Sequence, residues 1–197
     1  ATHVMSMMFH SPQVHGFFGV PTDPLSSRVV FKDYLSNLDL SGAIIVSPDM
    51  GQAKSAARFA KTLGLPVAAG NKERVSDTEV IISGLVGSQV KGLKRALIYD
   101  DEIATGGSIL ELSRVLIDEG IEDIKVICTH GVFSRNGLER LTIVPQITEI
   151  ITTDTVHMLP EKMHPKLTVL SVAHVFADAI RHNINRESLS DLFVFGE

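Results

Sequence analysis

The sequence predicts a doubly wound α/β protein built around a mostly parallel β-sheet. Short apolar runs bounded by turn residues alternate along the chain with segments whose apolar residues recur at helical spacing. Strands that alternate with helices are typical of parallel sheets covered by helices on both faces. The composition agrees, because 44% hydrophobic and 21% charged residues in a chain of 197 are normal for a globular protein of one or two domains.

The first predicted element is a strand over residues 2–9, and a loop follows it. Two prolines and two glycines within residues 10–21 exclude a regular helix there. We expect this loop to be ordered by a buried pair of aromatic side chains, Phe17 and Phe18.

A strand flanked by two helices is predicted next. Residues 27–37 can form a helix, and the short apolar run at 43–46 indicates a strand that is buried on both faces. Apolar residues then recur at helical spacing over 53–63 and stop at Gly64, which suits a left-handed helix cap.

The same alternation continues to the end of the chain. A helix is predicted over 108–119, closing at Gly120, and a last helix begins near residue 172. The remaining predicted strands span residues 66–69, 80–85, 96–99, 124–130, 147–152 and 167–172.

The charge balance and the single cysteine limit the class of function. With 18 basic and 23 acidic residues the net charge is −5, so no global basic field favours nucleic acid or an anionic membrane, and any anion must be held locally. Cys128 cannot form an intrachain disulfide, and it lies in an apolar run. Neither a membrane-spanning run nor a signal-peptide pattern is present, so we expect a cytoplasmic protein.

The segment 99–108 carries the clearest chemical pattern. Asp100 and Asp101 follow a predicted buried strand, and residues 105–108 combine a threonine, two glycines and a serine at the start of a predicted helix. Carboxylates accept hydrogen bonds from sugar hydroxyls or hold a divalent cation through water, whereas backbone N–H groups at a helix start bind phosphate. The segment therefore predicts a ribose 5-phosphate site. The alternative is a strand end followed by a turn with a serine cap.

Several motifs together resemble the ribose-phosphate pyrophosphokinases. The segment 100–108, Asp-Asp-Glu-Ile-Ala-Thr-Gly-Gly-Ser, resembles the phosphoribosyl-diphosphate motif of the type I phosphoribosyltransferase fold. Further matches to the pyrophosphokinases lie at residues 10–18, 47–51, 72–74, 129–134, 152–155 and 187–193. These motifs cover the carboxyl-terminal part of the family's members.

The resemblance implies a reaction and its substrates. Members of this family transfer the diphosphoryl group of ATP to the anomeric hydroxyl of ribose 5-phosphate, giving phosphoribosyl diphosphate and AMP for nucleotide biosynthesis. Lys72 and Arg74 match the family's catalytic Lys-x-Arg on a flexible loop, where their cations would close over the phosphates. Without the resemblance, residues 71–74 are equally a solvated turn between strands.

The resemblance also implies which residues bind the ribose 5-phosphate. Asp100 and Asp101 would bind the ribose hydroxyls, and Arg74 would contribute to substrate binding as well as to catalysis. The 5-phosphate would be held by Ala104, Thr105, Gly106, Gly107 and Ser108.

A magnesium site and an allosteric site are implied in the same way. His10 aligns with a metal ligand of the family, and Asp49 with an acid that supports Mg²⁺. Read alone, His10 is a structural loop residue and Asp49 a helix cap. Ser188 and Ser190 fall near the family's allosteric phosphate site between subunits, which implies a homo-oligomer built from dimers and possibly a hexamer.

The resemblance implies a domain division. We expect residues 1–25 to be a remnant of an amino-terminal phosphoribosyltransferase-like domain and residues 26–182 to form a phosphoribosyltransferase-like domain that binds ribose 5-phosphate. Residues 183–197 are expected to form a tail that packs back on the sheet or on a neighbour. On this division the chain alone is an incomplete synthetase.

Departures from the family pattern keep two alternatives open. Met8 and Ala104 stand where the family usually has acids, Gln52 replaces a glycine, and His15 stands where glutamine is common. A catalytically weak regulatory homologue is one alternative. A phosphoribosyltransferase that consumes phosphoribosyl diphosphate is another, although the motifs at 129–131 and 152–154 argue against it.

Overall fold

The computed structural model describes residues 1–74 and 80–193, with the backbone alone described at residues 72–74, 80 and 191. In this part of the chain, seven strands form the central sheet, in the order β5-β4-β3-β6-β7-β8-β9, and β1 pairs with β2 in a separate small sheet. The strands are β1 (Val4–Met7), β2 (Thr22–Leu25), β3 (Ala43–Ser47), β4 (Val67–Arg74), β5 (Val80–Gly87), β6 (Arg95–Ile103), β7 (Asp123–Gly131), β8 (Ile147–Thr153) and β9 (Leu167–Leu170).

Helices cover both faces of the central sheet. They are α1 (Arg28–Leu35), α2 (Ala53–Leu63), α3 (Gly107–Asp118), α4 (Gly137–Thr142) and α5 (Ala173–Asn185), with short 3-10 helices at Pro12–Phe17, Pro160–Lys162 and Ser190–Leu192. On one face α1 and α2 pack against the sheet around Phe31, Phe59 and Tyr99, and α3 and α4 pack on the other face through Leu112 and Leu138. This confirms the predicted doubly wound, mostly parallel α/β fold.

The chain changes direction across the sheet between β3 and β6. These two strands are parallel neighbours, and the chain runs outward from β3 to β4 and β5 on one side and from β6 to β7, β8 and β9 on the other. Only β4 and β5 pair antiparallel among the neighbours of this sheet. The loops beyond the carboxyl ends of β3 and β6 therefore border a topological switch point, where open α/β sheets bind ligands.

The first 25 residues form a strand pair that packs on the last helix. β1 runs parallel to β2, and Met7 and Leu25 are buried with Val175 and Ala179 of α5. The tail contacts the same region, because Phe193 forms an antiparallel bridge with Leu25.

The prediction of a buried Phe17–Phe18 pair is wrong. Phe17 is 89% exposed and Phe18 37% exposed, because residues 12–17 form a 3-10 helix with no buried residue. Phe18 instead stacks on Phe9 at a centroid distance of 6.0 Å. Local turn chemistry, with Pro12 in the first turn, sets this segment, and aromatic burial does not.

Several strands extend further than predicted, and β4 and β6 do so by the most residues. β4 continues through Arg74 because its outer half pairs antiparallel with β5, with Lys72 opposite Ile82 and Arg74 opposite Val80. The predicted loop position of Lys72 and Arg74 is therefore wrong, since both lie within a strand. β6 pairs with β7 as far as Ile103, so the acidic residues lie in the strand itself rather than after it.

The predicted end of α2 is confirmed. Gly64 ends α2 in the left-handed conformation with φ +67°, as expected. The short helix α4 was not predicted. Among the described residues, no helix combines the length and apolar character needed to cross a membrane.

Candidate active site

A pocket of about 200 Å³ opens where the carboxyl end of β6 meets the start of α3. Its lining residues are His10, Asp100, Glu102, Ile103, Ala104, Thr105, Gly106, Gly107, Ser108 and Ile109. The fold thus gathers the predicted loop 104–108 and Asp100, and it brings His10 to them from a distant part of the sequence. This position agrees with the expectation for a switch-point ligand site.

Alternation along β6 separates the three acidic residues. Asp100 and Glu102 line the pocket, whereas the intervening Asp101 is 3% exposed and contacts the ring of His10, with 2.8 Å between its Oδ2 and Nδ1 of the histidine. Successive side chains of a strand alternate in direction, and Asp101 turns to His10 while its carboxyl group stays within hydrogen-bonding reach of Asp100. Asp101, which was predicted to bind ribose hydroxyls, is thus already hydrogen-bonded to His10.

The acidic end of the pocket disfavours the charged form of Asp100. Burial raises the pKa of Asp100 to about 8, and the hydrogen bond and charge of Asp101 act in the same direction. The hydrogen bond with Asp101, followed by its charge, raises the pKa of His10. A ligand that brings hydroxyl donors or a cation to Asp100 would relieve this repulsion.

The other end of the pocket is made of backbone. Gly106 has φ +73° and precedes the first residue of α3, and an added Cβ there would lie 3.2 Å from Cγ of Leu141 and 3.3 Å from the carbonyl oxygen of Gly137. Glycine is the residue that adopts this left-handed conformation at little cost. The first turn of α3 leaves N–H groups that lack intrahelical partners, and the helix dipole favours an anion there.

Asp49 follows β3 on the opposite side of the switch point. Its Oδ1 accepts a hydrogen bond from the backbone N–H of Gln52 at 3.2 Å, just before α2 begins, which agrees with a helix-start role. The charge of Asp49 also makes a small contribution to the raised pKa values of His10 and Asp100. Asp49 therefore belongs to the same acidic cluster.

The remaining predicted residues lie on β4 and in the carboxyl-terminal tail. Lys72 and Arg74 stand on β4 beyond Ala69, the last β4 residue that pairs with β3. Ser188 and Ser190 bond to each other in the tail, with 3.1 Å between their Oγ atoms. Their catalytic and allosteric roles stay predictions.

Met8 faces the interior. It is 7% exposed, and its sulfur accepts hydrogen bonds from Oγ1 of Thr129 at 3.0 Å and Oγ of Ser27 at 3.5 Å. Its backbone is in the left-handed region, with φ +47°. Met8 therefore contributes no oxygen ligand to the pocket.

Sequence reasoning missed Glu102 as a pocket residue and missed the helix α4 that supports the loop. Glu102 could have been found, because it stands two residues after Asp100 and side chains two apart share one face of a strand. The place of α4 depends on tertiary packing that no local pattern reveals.

The donor set of the pocket suits magnesium held partly by water. Among the described residues, no group of three or more histidine, cysteine, aspartate or glutamate side chains is arranged to hold a metal ion. Mg²⁺ is usually bound by one or two carboxylates together with water and substrate phosphates. Asp100 and Glu102 supply such carboxyl groups, and a bound cation would favour the charged form of Asp100 and so lower its raised pKa.

Comparison with known proteins identifies related sequences and a related structure. A relative from Streptomyces coelicolor is 45% identical over 193 residues, which cover 98% of this chain and 60% of the relative. A protein from Rhodopirellula baltica named ribose-phosphate pyrophosphokinase is 38% identical over 98% of this chain and 61% of its own length. The crystal structure of phosphoribosylpyrophosphate synthetase from Mycobacterium smegmatis matches with a TM-score of 0.83 and 31% identity, covering 94% of this chain and 60% of that one.

The chain spans about 60% of the length of these curated relatives. The match to the solved structure agrees with the fold described above, including its mostly parallel sheet. The family model described as the phosphoribosyl synthetase-associated domain matches residues 79–194, which is more than half of the chain. On this sequence match, supported by the shared fold, the chain belongs to the phosphoribosyl synthetase-associated domain family, and it is similar to part of proteins named ribose-phosphate pyrophosphokinase.

Proposed function

We propose that this chain forms the ribose 5-phosphate-binding part of an enzyme that makes phosphoribosyl diphosphate from ATP and ribose 5-phosphate. The observation that carries the proposal is the two-ended pocket, with carboxylates of β6 at one end and the backbone loop before α3 at the other. A sugar phosphate has the matching polarity, because its hydroxyls donate to carboxylates and its phosphate accepts from N–H groups.

The binding step follows from this polarity. The 5-phosphate occupies the loop of residues 104–108, where N–H groups and the dipole of α3 favour a dianion. Asp100 accepts hydrogen bonds from ribose hydroxyls, and Glu102 lines the same face of β6. Ala104 offers no side-chain oxygen, so the loop acts through its backbone and the hydroxyl groups of Thr105 and Ser108.

The transfer step joins the anomeric hydroxyl oxygen of ribose 5-phosphate to the β-phosphorus of ATP and breaks the bond from that phosphorus to the α-β bridging oxygen. AMP leaves with the bridging oxygen, and the hydroxyl proton is released to solvent. Positioning and charge neutralisation supply most of the catalysis in such transfers. Mg²⁺, when bound with the substrates, supplies further neutralisation of the phosphate charge. We assign Lys72 and Arg74 to the transferred phosphates, which fits their place on β4 beside the switch point.

The test uses the full-length protein with ATP, Mg²⁺ and ribose 5-phosphate. We expect AMP and phosphoribosyl diphosphate to form in equal amounts, with no product when ribose is supplied without its phosphate. Asp100→Asn serves as the matched variant with impaired sugar binding. No AMP above background from the full-length protein would overturn the synthetase proposal.

Met8 supports a second candidate, a catalytically weak homologue that regulates active synthetase subunits. Its buried thioether occupies a position where the family usually has an acidic residue. Ala104 stands at a second position of this kind. In this case the full-length protein makes little AMP alone but changes the rate of an active synthetase from the same organism when the two are mixed. Absence of any complex between them would contradict this candidate.

A further inference from the structure

The phosphate-binding loop rests on α4, a helix that is distant in sequence. A Cβ added at Gly137, the first residue of α4, would lie 2.6 Å from the carbonyl oxygen of Ala104 and 3.1 Å from the carbonyl carbon of Thr105. Leu141 of the same helix lies close to Gly106, where an added Cβ would be 3.2 Å from its Cγ. The loop and the start of α4 are therefore packed backbone against backbone.

One side chain of α4 also bonds to the loop. Nη1 of Arg140 donates a hydrogen bond to the carbonyl oxygen of Thr105 at 3.1 Å. In a trans peptide, the carbonyl and the following N–H point in opposite directions. A Thr105 carbonyl held toward α4 therefore turns the N–H of Gly106 away from α4, and the described lining of the pocket contains no residue of α4.

We propose that Arg140 is a positioning residue for the phosphate-binding loop, and this inference rests on the proposed function of that loop. By holding the Thr105 carbonyl, Arg140 keeps a partial negative charge out of the phosphate position and presents the Gly106 N–H to it. Gly137 allows this contact, because any side chain at its position would displace the loop backbone.

The chain offers a matched control in Arg114. Both arginines are exposed and line the same groove of about 280 Å³ between α3 and α4. Nη1 of Arg114 pairs with Oε1 of Glu111 at 2.6 Å on α3, whereas Arg140 reaches the loop. Replacing either with glutamine removes one positive charge from the same groove, but only Arg140→Gln removes the guanidinium from the Thr105 carbonyl.

The experiment compares Arg140→Gln, Arg140→Lys and Arg114→Gln in the full-length protein. We expect Arg140→Gln to raise the Kd of ribose 5-phosphate roughly tenfold, the effect expected for loss of a charged hydrogen bond. The KM of ribose 5-phosphate should rise as well. The kcat and the KM of ATP should stay within about twofold of the unmodified protein. Arg140→Lys should recover part of the affinity, and Arg114→Gln should match the unmodified protein.

Hydrogen-deuterium exchange of the peptide covering residues 104–110 gives a readout that needs no substrate. Arg140→Gln should speed exchange there, and Arg114→Gln should leave it unchanged. The inference is overturned if Arg140→Gln and Arg114→Gln show the same exchange rates. Where ribose 5-phosphate binds, the same Kd in both variants is also required for this outcome. If the unmodified protein binds no ribose 5-phosphate and yet exchange responds only to Arg140→Gln, the positioning role stands and the proposed function fails.

Discussion

Two regions at the same edge of the sheet are built in different ways. The pocket at the end of β6 has strands on both sides and α3 and α4 packed beneath it. The outer part of β4, which carries Lys72 and Arg74, extends past its last pairing with β3 at Ala69 and is hydrogen-bonded only to β5 among the described strands. One region is embedded in the core, and the other is a two-stranded ribbon.

This difference suggests that binding and transfer are separable. The pocket residues are placed by core packing, so on the proposed function we expect them to bind ribose 5-phosphate whatever the conformation of the ribbon. Two-stranded ribbons have little stability of their own, and such elements suit groups that close on a substrate. Substitutions in the two regions should therefore affect different kinetic constants.

The largest effect is expected on the ribbon. Lys72→Ala should lower kcat by roughly 100-fold or more, the size expected when a preorganised cation is removed from a developing phosphate charge. The Kd of ribose 5-phosphate, measured by calorimetry without ATP, should stay within about twofold. Steady-state kinetics of the full-length protein gives the first value.

Lys61→Ala is the control for charge, because Lys61 is an exposed lysine at the end of α2. It should leave both constants unchanged. If Lys72→Ala weakens ribose 5-phosphate binding as much as it lowers kcat, the separation of the two regions fails.

In the pocket, the largest effect is expected from Gly106→Ala. The substitution places a Cβ at φ +73°, 3.2 Å from Cγ of Leu141 and 3.3 Å from the carbonyl oxygen of Gly137, so the loop or these neighbours must shift slightly. We expect the Kd of ribose 5-phosphate to rise roughly 10-fold to 100-fold, together with about 1 kcal/mol lower unfolding free energy from backbone strain.

Gly120→Ala is the control that separates the cost of backbone strain from the effect on the loop. Gly120 has φ +96°, and an added Cβ there meets nothing within 4 Å. Denaturant unfolding should show a similar loss of stability in both variants, and calorimetry should show lost affinity in Gly106→Ala alone. Equal affinity in the two would mean that the loop does not hold the phosphate.

The next effect concerns Asp100, where binding and stability should change in opposite directions. Asp100→Asn should weaken ribose 5-phosphate binding about tenfold through loss of charge-assisted hydrogen bonds. Because folding raises the pKa of Asp100 to about 8, the folded state binds more protons than the unfolded state at intermediate pH, and stability falls as pH rises from about 4 to 8. The variant should thus be more stable at pH 8, by about 1–3 kcal/mol.

Unfolding in denaturant at pH 4, 6 and 8 measures this difference, which should shrink toward pH 4. Asp118→Asn, an exposed position on α3, provides the control and should follow the unmodified protein. A constant difference at all three pH values would contradict the assigned origin of the raised pKa.

The sequence allowed the pocket loop to be predicted because its parts are local. Residues 100–108 are contiguous, and a strand, a glycine pair and a helix start suffice to predict a phosphate site there, at the loop where the structure has a pocket. The sheet order, the pairing of Asp101 with His10 and the support from Gly137 and Arg140 depend on contacts between distant segments. Lys72 was misplaced in a loop because its strand exists only through pairing with β5.

The exposure of Phe17 likewise depends on tertiary packing. Apolar residues are usually buried, but Phe17 is exposed because its 3-10 helix packs nothing beneath it. Met8, by contrast, could be recognised as a departure from the family pattern, yet only the structure reveals that its sulfur accepts hydrogen bonds from Thr129 and Ser27.

The smallest effect is expected at the border of the pocket, from His10→Gln. The side chain of His10 is 71% exposed, and its hydrogen bond with Asp101 raises its pKa. A histidine whose pKa is raised by folding contributes stability that is complete below its ordinary value near 6.5 and is lost as pH rises through the folded value. The variant should lose no more than about 1 kcal/mol at pH 6 and nothing measurable at pH 9.

His157→Gln, at an exposed histidine, should show no such pH dependence. An equal loss of stability at pH 6 and pH 9 would mean that the charge of His10 is irrelevant and that only its shape matters to Asp101. A tenfold loss of ribose 5-phosphate affinity at both pH values would instead place His10 in direct contact with the ligand. The binding region would then extend from β6 to the loop after β1, and both segments, in contrast to the ribbon, would contact the ligand.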